Sequence, residues 1–203
     1  MKITPFYAKG WESNSFLVSD NGHAALIDAG VSAKAVLDAL QAENAKLDYI
    51  LLTHGHFDHT LTADALREAT GAKLLIHADD AEMLTDANKS ALALFLGRYD
   101  TVKPCDEILN HEDSIALGDS TLTVIHTPGH SKGSLCYLAD DFIFTGDTLF
   151  DRGFGRFDLH GGDFETLKSS LRKLGKLDRK LKIYAGHGTS VSLGEAIDYL
   201  TII

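Results

Sequence analysis

Apolar positions in this chain fall in short runs, and the period of the runs changes along it. Residues 2–7, 15–19 and 23–28 read as strands, and Asp20-Asn21-Gly22 between the last two is a hairpin turn. A helix follows over about residues 33–43. The run Tyr49-Ile50-Leu51-Leu52 predicts a buried strand over residues 49–53. Leu61, Ala65, Leu66 and Ala69 then recur at helical spacing, which predicts a helix over residues 58–70 with Gly71 as its C-cap. A strand at residues 73–76 follows. Further on, strands are expected at residues 121–127, 134–138 and 142–144, a helix at about 164–174, a strand at 182–185 and a helix at 193–200. Strands in two groups, each trailed by helices, suggest two similar halves packed face to face, an α/β fold with two sheets inside and helices outside.

Composition narrows the setting. The 203 residues fit one domain spanning residues 1–203. With 44% hydrophobic and 24% charged residues the chain reads as globular. No apolar run approaches the ~20 residues of a membrane span, so no membrane partner is expected. Met1-Lys2-Ile3-Thr4-Pro5 lacks the apolar core of an export signal, which makes a cytoplasmic location the expectation. A net charge of −10 repels phosphate backbones and argues against a nucleic-acid partner. The basic stretch from Lys168 to Lys182 interleaves with Leu171, Leu174, Leu177 and Leu181, the pattern of a solvated helix face and a turn. Cys105 and Cys136 form no C-x-x-C pair, and Cys136, inside Leu135-Cys136-Tyr137-Leu138, reads as a reduced core residue.

The chemistry is concentrated in Thr53-His54-Gly55-His56-Phe57-Asp58-His59. Imidazole and carboxylate suit zinc, iron or manganese, and this H-x-H-x-D-H run sits between the end of a strand and the start of a helix, where open α/β folds bind ligands. Three more apolar strands end on a His or Asp beside glycine. These are Thr127-Pro128-Gly129-His130, Thr145-Gly146-Asp147 and Ala185-Gly186-His187. Glycine lets the backbone turn sharply and approach a ligand. His54, His56, Asp58, His59, His130, Asp147 and His187 thus make seven candidate ligands at strand ends. A site of this kind turns water into a nucleophile at neutral pH, which points to hydrolysis.

These residues resemble the metallo-β-lactamase superfamily, over the span from Asp28 to His187. The resemblance implies an αββα sandwich with two divalent metal ions at one edge, zinc first, iron or manganese as alternatives. It implies that His54, His56 and His130 bind one metal, that Asp58, His59 and His187 bind the other, and that Asp147 bridges them. Asp28, in Leu26-Ile27-Asp28-Ala29-Gly30, matches an aspartate that orients the ligand loop.

Gly146-Asp147-Thr148-Leu149-Phe150 and Gly155-Arg156-Phe157-Asp158-Leu159-His160-Gly161-Gly162-Asp163 are similar to the short, single-domain glyoxalase II group, the hydroxyacylglutathione hydrolases. That implies a small-molecule thioester substrate of the glutathione-linked kind, attacked by a hydroxide shared between the metals. Asp147 would hold both metals, Asp58 would orient the nucleophile, and Arg156 would bind substrate. Asp158 stands where that group has a tyrosine. A thiol of pKa ~8.5 leaves without a protein acid, so a thioester suits such a site. Persulfide dioxygenases, which use one iron, share the G-R-x-D of Gly155-Arg156-Phe157-Asp158, and lactonases share the fold; both are rival readings.

Other positions bear on the site more weakly. His23 and His111 read as surface residues, while His126 and His160 flank the ligand segments and could support them. Residues 90–99, with Leu92, Leu94, Phe95, Leu96 and Tyr99, could be a lid or pocket wall, though a packed helix or dimer contact is the plainer reading. Trp11 could line the same pocket or simply pack.

Overall fold

A computed structural model describes residues 1–200. In the first sheet β1 (Lys2–Phe6), β2 (Ser15–Asp20), β3 (His23–Ile27), β4 (Lys46–Leu51), β5 (Lys73–His77) and β6 (Glu107–Leu109) lie side by side in chain order. The first three are antiparallel and β3 to β6 are parallel. The expected hairpin joins β2 to β3. Asn21 and Gly22 both have positive φ, at 46° and 81°, the two-residue turn whose twist matches paired strands. The second sheet holds β7 (Ser114–Leu117), β8 (Ser120–His126), β9 (Leu135–Leu138), β10 (Phe142–Gly146) and β11 (Lys182–Ala185) in the order β11-β10-β9-β8-β7. Only β10 and β11 run parallel there.

Strand alternation sorts the apolar side chains into layers. Phe16, Ile27, Leu51, Val124, Tyr137 and Phe144 point between the sheets and form the central core. Their neighbours Leu17, Leu26, Ile50 and Leu74 face outward under α1 (Ala33–Glu43) and α2 (Ala63–Thr70). On the opposite face Ile125, Cys136, Ile143 and Ile183 pack under α4 (Phe164–Leu174) and α5 (Leu193–Tyr199). The result is the expected αββα sandwich. Both faces of the strands are buried at Ile50-Leu51 in β4 and Phe142-Ile143-Phe144 in β10, which explains why these stretches read as apolar runs.

Two contacts tie the sheets together at one edge. The N–H of Leu135, first residue of β9, donates to the carbonyl of Thr53 at 2.7 Å, and the Tyr137 hydroxyl donates to the carbonyl of Leu52 at 2.6 Å. The C-terminal ends of β3, β4, β8, β10 and β11 all reach this edge.

The structure departs from expectation in a few places. The helix expected from Asp58 begins at Ala63, and a single 3-10 turn, Phe57–His59, precedes it. A regular helix would set Asp58 and His59 about 100° apart and commit both to one axis; the separate tight turn instead faces them toward β10 and β11. β4 begins at Lys46 and ends at Leu51, two residues before the expected end, and β3 stops at Ile27, because Asp28 takes a left-handed φ of 57°. Edge strands β6 and β7 and the 3-10 segment Ala78–Thr85 were not expected as elements, whereas α3 (Leu92–Leu96) falls within residues 90–99, where a packed helix is one of the two plainer readings.

Candidate metal centre

All seven candidate ligands meet at the edge where the sheets are tied. His54 and His56 leave β4, Asp58 and His59 lie on the 3-10 turn, His130 follows β8, Asp147 follows β10 and His187 follows β11. They fall into groups whose donor atoms lie within 4.8 Å of one another: His54, His56 and His130; Asp58, His59 and His187; and His54, His59 and Asp147.

In the first group His130 Nε2 lies 2.9 Å from His56 Nδ1 and 3.1 Å from His54 Nε2. Nitrogens sharing a tetrahedral cation at 2.0–2.1 Å would stand about 3.3 Å apart, close to this spacing. Burial, reinforced by neighbouring imidazoles, keeps the His54 and His56 rings neutral. The His54 ring is held well below its ordinary pKa by burial and then by His59, and His56 is pulled down to about 3 by burial and then by His130. Neutral imidazole is the form that ligates metal.

The second group is arranged by Asp28. Its buried carboxylate accepts from the Thr53 N–H at 2.8 Å, from the Thr53 hydroxyl at 2.8 Å and from His59 Nδ1 at 2.8 Å. With Nδ1 carrying the proton, His59 Nε2 is left facing Asp147 Oδ1 at 3.3 Å and Asp58 Oδ2 at 3.6 Å. His187 Nε2 lies 3.2 Å from Asp58 Oδ2 and 3.5 Å from Asp147 Oδ2. His59 Nε2 and Asp147 Oδ1 are buried with no hydrogen-bond partner. Two buried acceptors aimed at each other require a positive charge between them. Burial alone would lower the His59 pKa, but Asp28, Asp58 and Asp147 more than offset it and raise it well above the ordinary value. Burial likewise opposes ionisation of Asp147, and His59 outweighs it, holding that carboxyl below its usual range. A divalent cation satisfies the same demand as a proton on His59 and fits this donor set.

His130 is oriented in the same manner as His59, by a backbone carbonyl in place of a carboxylate. Its Nδ1 donates to the carbonyl of Arg156 at 2.6 Å, which leaves Nε2 for the cluster.

One supporting residue carried no sequence signal. Asp80, 1% exposed, accepts from the N–H of Gly55 at 3.1 Å, from the Ser131 hydroxyl at 2.6 Å and from the N–H of Gly133 at 2.7 Å. It therefore joins the His54–His56 loop to the His130 loop. Nothing in Ala78-Asp79-Asp80-Ala81 distinguishes it from an ordinary surface aspartate.

The cluster opens into a cleft of about 490 Å³ walled by Trp11, Phe57, Phe95, Leu96, Phe150 and Leu159. Trp11 packs on Phe57 with ring centroids 5.5 Å apart, so it is a wall residue and a packing residue at once. Within residues 90–99, Leu92 is buried beside Phe57 while Phe95, 51% exposed, faces the cleft. Arg156 also lines the cleft, with its guanidinium held by Asp158.

The remaining histidines stay outside the cluster. His126 stacks on His77 at 4.2 Å and donates through Nε2 to the Lys132 carbonyl, and His160 lies beside Glu82. With Asp79 these two stacked rings form another His/Asp group, but they lie within 11° of parallel and their lone pairs do not converge. His23 and His111 are exposed, as expected. Cys136 is buried and its thiol is pushed up to about 11 by burial, which keeps it protonated and inert. No helix among the described residues is long and apolar enough to cross a membrane.

Residues 8–187 match the family model of the metallo-beta-lactamase superfamily. The chain is 33% identical over 201 residues to the hydroxyacylglutathione hydrolase GloC of Haemophilus influenzae, covering 96% of this chain and 94% of that protein. Among solved structures it resembles the BLEG-1 B3 metallo-beta-lactamase, with 32% identity, a TM-score of 0.90 and 97% of each chain covered. It also resembles TTHA1623 in a di-iron-bound form, with 29% identity, a TM-score of 0.87, and 98% of this chain and all of the other covered.

Proposed function

Because the chain belongs to the metallo-β-lactamase superfamily and is a metal-dependent hydrolase of it, we propose that it hydrolyses hydroxyacyl thioesters of the S-lactoylglutathione type. The reading assigns His54, His56 and His130 to one divalent cation, Asp58, His59 and His187 to a second, and Asp147 to both. One observation carries it. Asp147 turns Oδ1 toward His59 at 3.3 Å and Oδ2 toward His130 at 3.7 Å, so a single carboxylate faces both groups.

Two cations there, zinc first with iron or manganese accepted by the same donors, supply water activation near neutral pH and positive charge for a tetrahedral oxyanion. The chain does the rest. Asp28 keeps the His59 proton on Nδ1, and the Arg156 carbonyl keeps the His130 proton on Nδ1, so both Nε2 lone pairs face the reaction centre. The reading gives Asp58, whose Oδ2 lies 3.2 Å from His187 Nε2, the role of orienting the attacking water. Trp11, Phe57 and Phe95 exclude bulk water from the cleft. Apart from the candidate ligands, the cleft lining carries no acid able to protonate a leaving group. A thiolate leaves without one, whereas an amine does not. This chemistry favours a thioester over an amide.

The test is hydrolysis of S-D-lactoylglutathione by the metal-loaded protein, followed as loss of thioester absorbance. Turnover that His56→Ala abolishes is the expected result. No turnover with two metals bound would discard glutathione thioesters, and oxygen uptake with glutathione persulfide would then replace hydrolysis with dioxygenase chemistry.

A further inference from the structure

We infer that the Arg156–Asp158 pair selects the thiol arm: because Asp158 already holds the guanidinium, the cleft favours an apolar, uncharged arm over one that carries carboxylates. The inference rests on the thioester reading above and adds the class of thiol.

The lining of the cleft sets the terms. Once the candidate ligands are set aside, its charged side chains reduce to Arg156, surrounded by Trp11, Phe57, Phe95, Leu96 and Leu159. A wall of this composition stabilises apolar substituents in proportion to the area they bury. A glutathione arm brings two carboxylates and one ammonium into that space. Only one cation stands ready for them, and it is engaged.

The engagement is geometric. Arg156 Nε donates to Asp158 Oδ1 at 2.7 Å and Nη2 donates to Oδ2 at 2.8 Å, a bidentate fork. The guanidinium carbon also lies 5.5 Å above the Phe95 ring, which lays the group along the cleft wall. A substrate carboxylate must either displace Asp158 from that fork or share the guanidinium through Nη1 with the Asp158 charge still beside it, in a chain of net charge −10. The side chains of Arg156 and Asp158 are 48% and 62% exposed, so solvent screens the pair. Competition of this strength weakens an anionic ligand by up to about fivefold. Asp158 is thus a specificity-determining residue that acts through Arg156.

Binding can be read without turnover, because the single tryptophan of the chain, Trp11, lines the cleft. Metal-loaded protein would be titrated by tryptophan fluorescence with S-hexylglutathione and with S-hexyl-N-acetylcysteamine, two thioethers that share an alkyl group and differ in carboxylates. The expected result is tighter binding of the uncharged thioether by the unmodified protein. Asp158→Asn should improve the affinity for S-hexylglutathione about fivefold relative to the uncharged ligand. That gain should vanish in the double variant Arg156→Gln, Asp158→Asn. A preference of the unmodified protein for S-hexylglutathione, equal movement of both affinities in Asp158→Asn, or no saturable binding of the uncharged thioether would each overturn the inference. Loss of the thioester reading would show separately, as absence of turnover of both S-D-lactoylglutathione and the uncharged S-D-lactoyl-N-acetylcysteamine, whatever the binding order.

Discussion

Asp80 accepts the backbone N–H of Gly55 at 3.1 Å, and Gly55 is the residue between His54 and His56. The same carboxylate holds Ser131, next to His130. One buried side chain therefore fixes the distance between two loops that each carry candidate ligands. Asp80→Ala would leave the buried N–H groups of Gly55 and Gly133 without an acceptor, each costing about 1–3 kcal/mol, while the Ser131 hydroxyl keeps the Ser134 hydroxyl at 2.7 Å. We expect that variant to lose thermal stability and to bind metal about 10- to 100-fold more weakly. Asp80→Asn, which keeps one acceptor oxygen, should recover part of the affinity. Competition with a chromogenic chelator measures both.

Asp28 offers a sharper test of orientation. Its φ of 57° is a conformation that asparagine also accepts, so Asp28→Asn should fold normally. The new amide nitrogen can no longer accept from His59 Nδ1 if its oxygen stays with Thr53. The His59 tautomer would then shift, and affinity for one metal should fall by about 10- to 100-fold while the other is kept. Metal content by mass spectrometry of the intact protein, at stoichiometric loading, distinguishes one bound ion from two.

Gly186 stands between β11 and His187, and a Cβ there would overlap Asp147 Oδ1 and His59 Cε1. Gly186→Ala should keep the sandwich, because the outer helices and central core lie elsewhere, and should displace Asp147. The expected outcome is near-native circular dichroism with loss of at least one metal and of hydrolytic activity.

A separate site governs acid stability. Glu43, at the end of α1, accepts from the Thr4 and Ser19 hydroxyls at 2.5 Å each and pairs with Lys2 at 3.0 Å. Burial would raise its pKa, but the two hydroxyls and Lys2 outweigh it and bring it below the ordinary value. A depressed carboxyl stabilises the fold above its unfolded pKa of about 4.3, and that contribution disappears as pH falls through the folded value. Glu43→Gln should therefore lower the urea midpoint at about pH 7, and the difference from the unmodified protein should shrink steadily as pH falls below about 4.

Much of the fold could be read from the chain because its outer helices and central strands obey simple periods. The bounds of α1, α4 and β11 coincide with expectation: amphipathic spacing marks both helices, and β11 is a compact apolar run. The edge strands β6 and β7 escaped notice because they are three and four residues long and partly exposed, too short to show an alternation. The candidate ligand set was legible since its members follow strand ends, four of them in one heptapeptide, and the structure brings all seven side chains together. Asp80 was not, because its role comes from a crossing between loops 25 and 51 residues away in sequence, which no local pattern records. Asp58 and His59 misled the helix assignment for a related reason: the polar requirements of the cluster override the helical spacing that resumes at Ala63.

Position 156 serves the site twice, by separate parts of one residue. The main-chain carbonyl orients His130, while the side chain meets whatever enters the cleft. Every amino acid presents a main-chain carbonyl, so the side chain can change without removing the acceptor that holds the imidazole. On the thiol-arm proposal, single substitutions at 156 and 158 should therefore shift ligand preference at little cost in stability, and a small saturation library at these two codons, screened by binding, would show it while the candidate ligands stay in place.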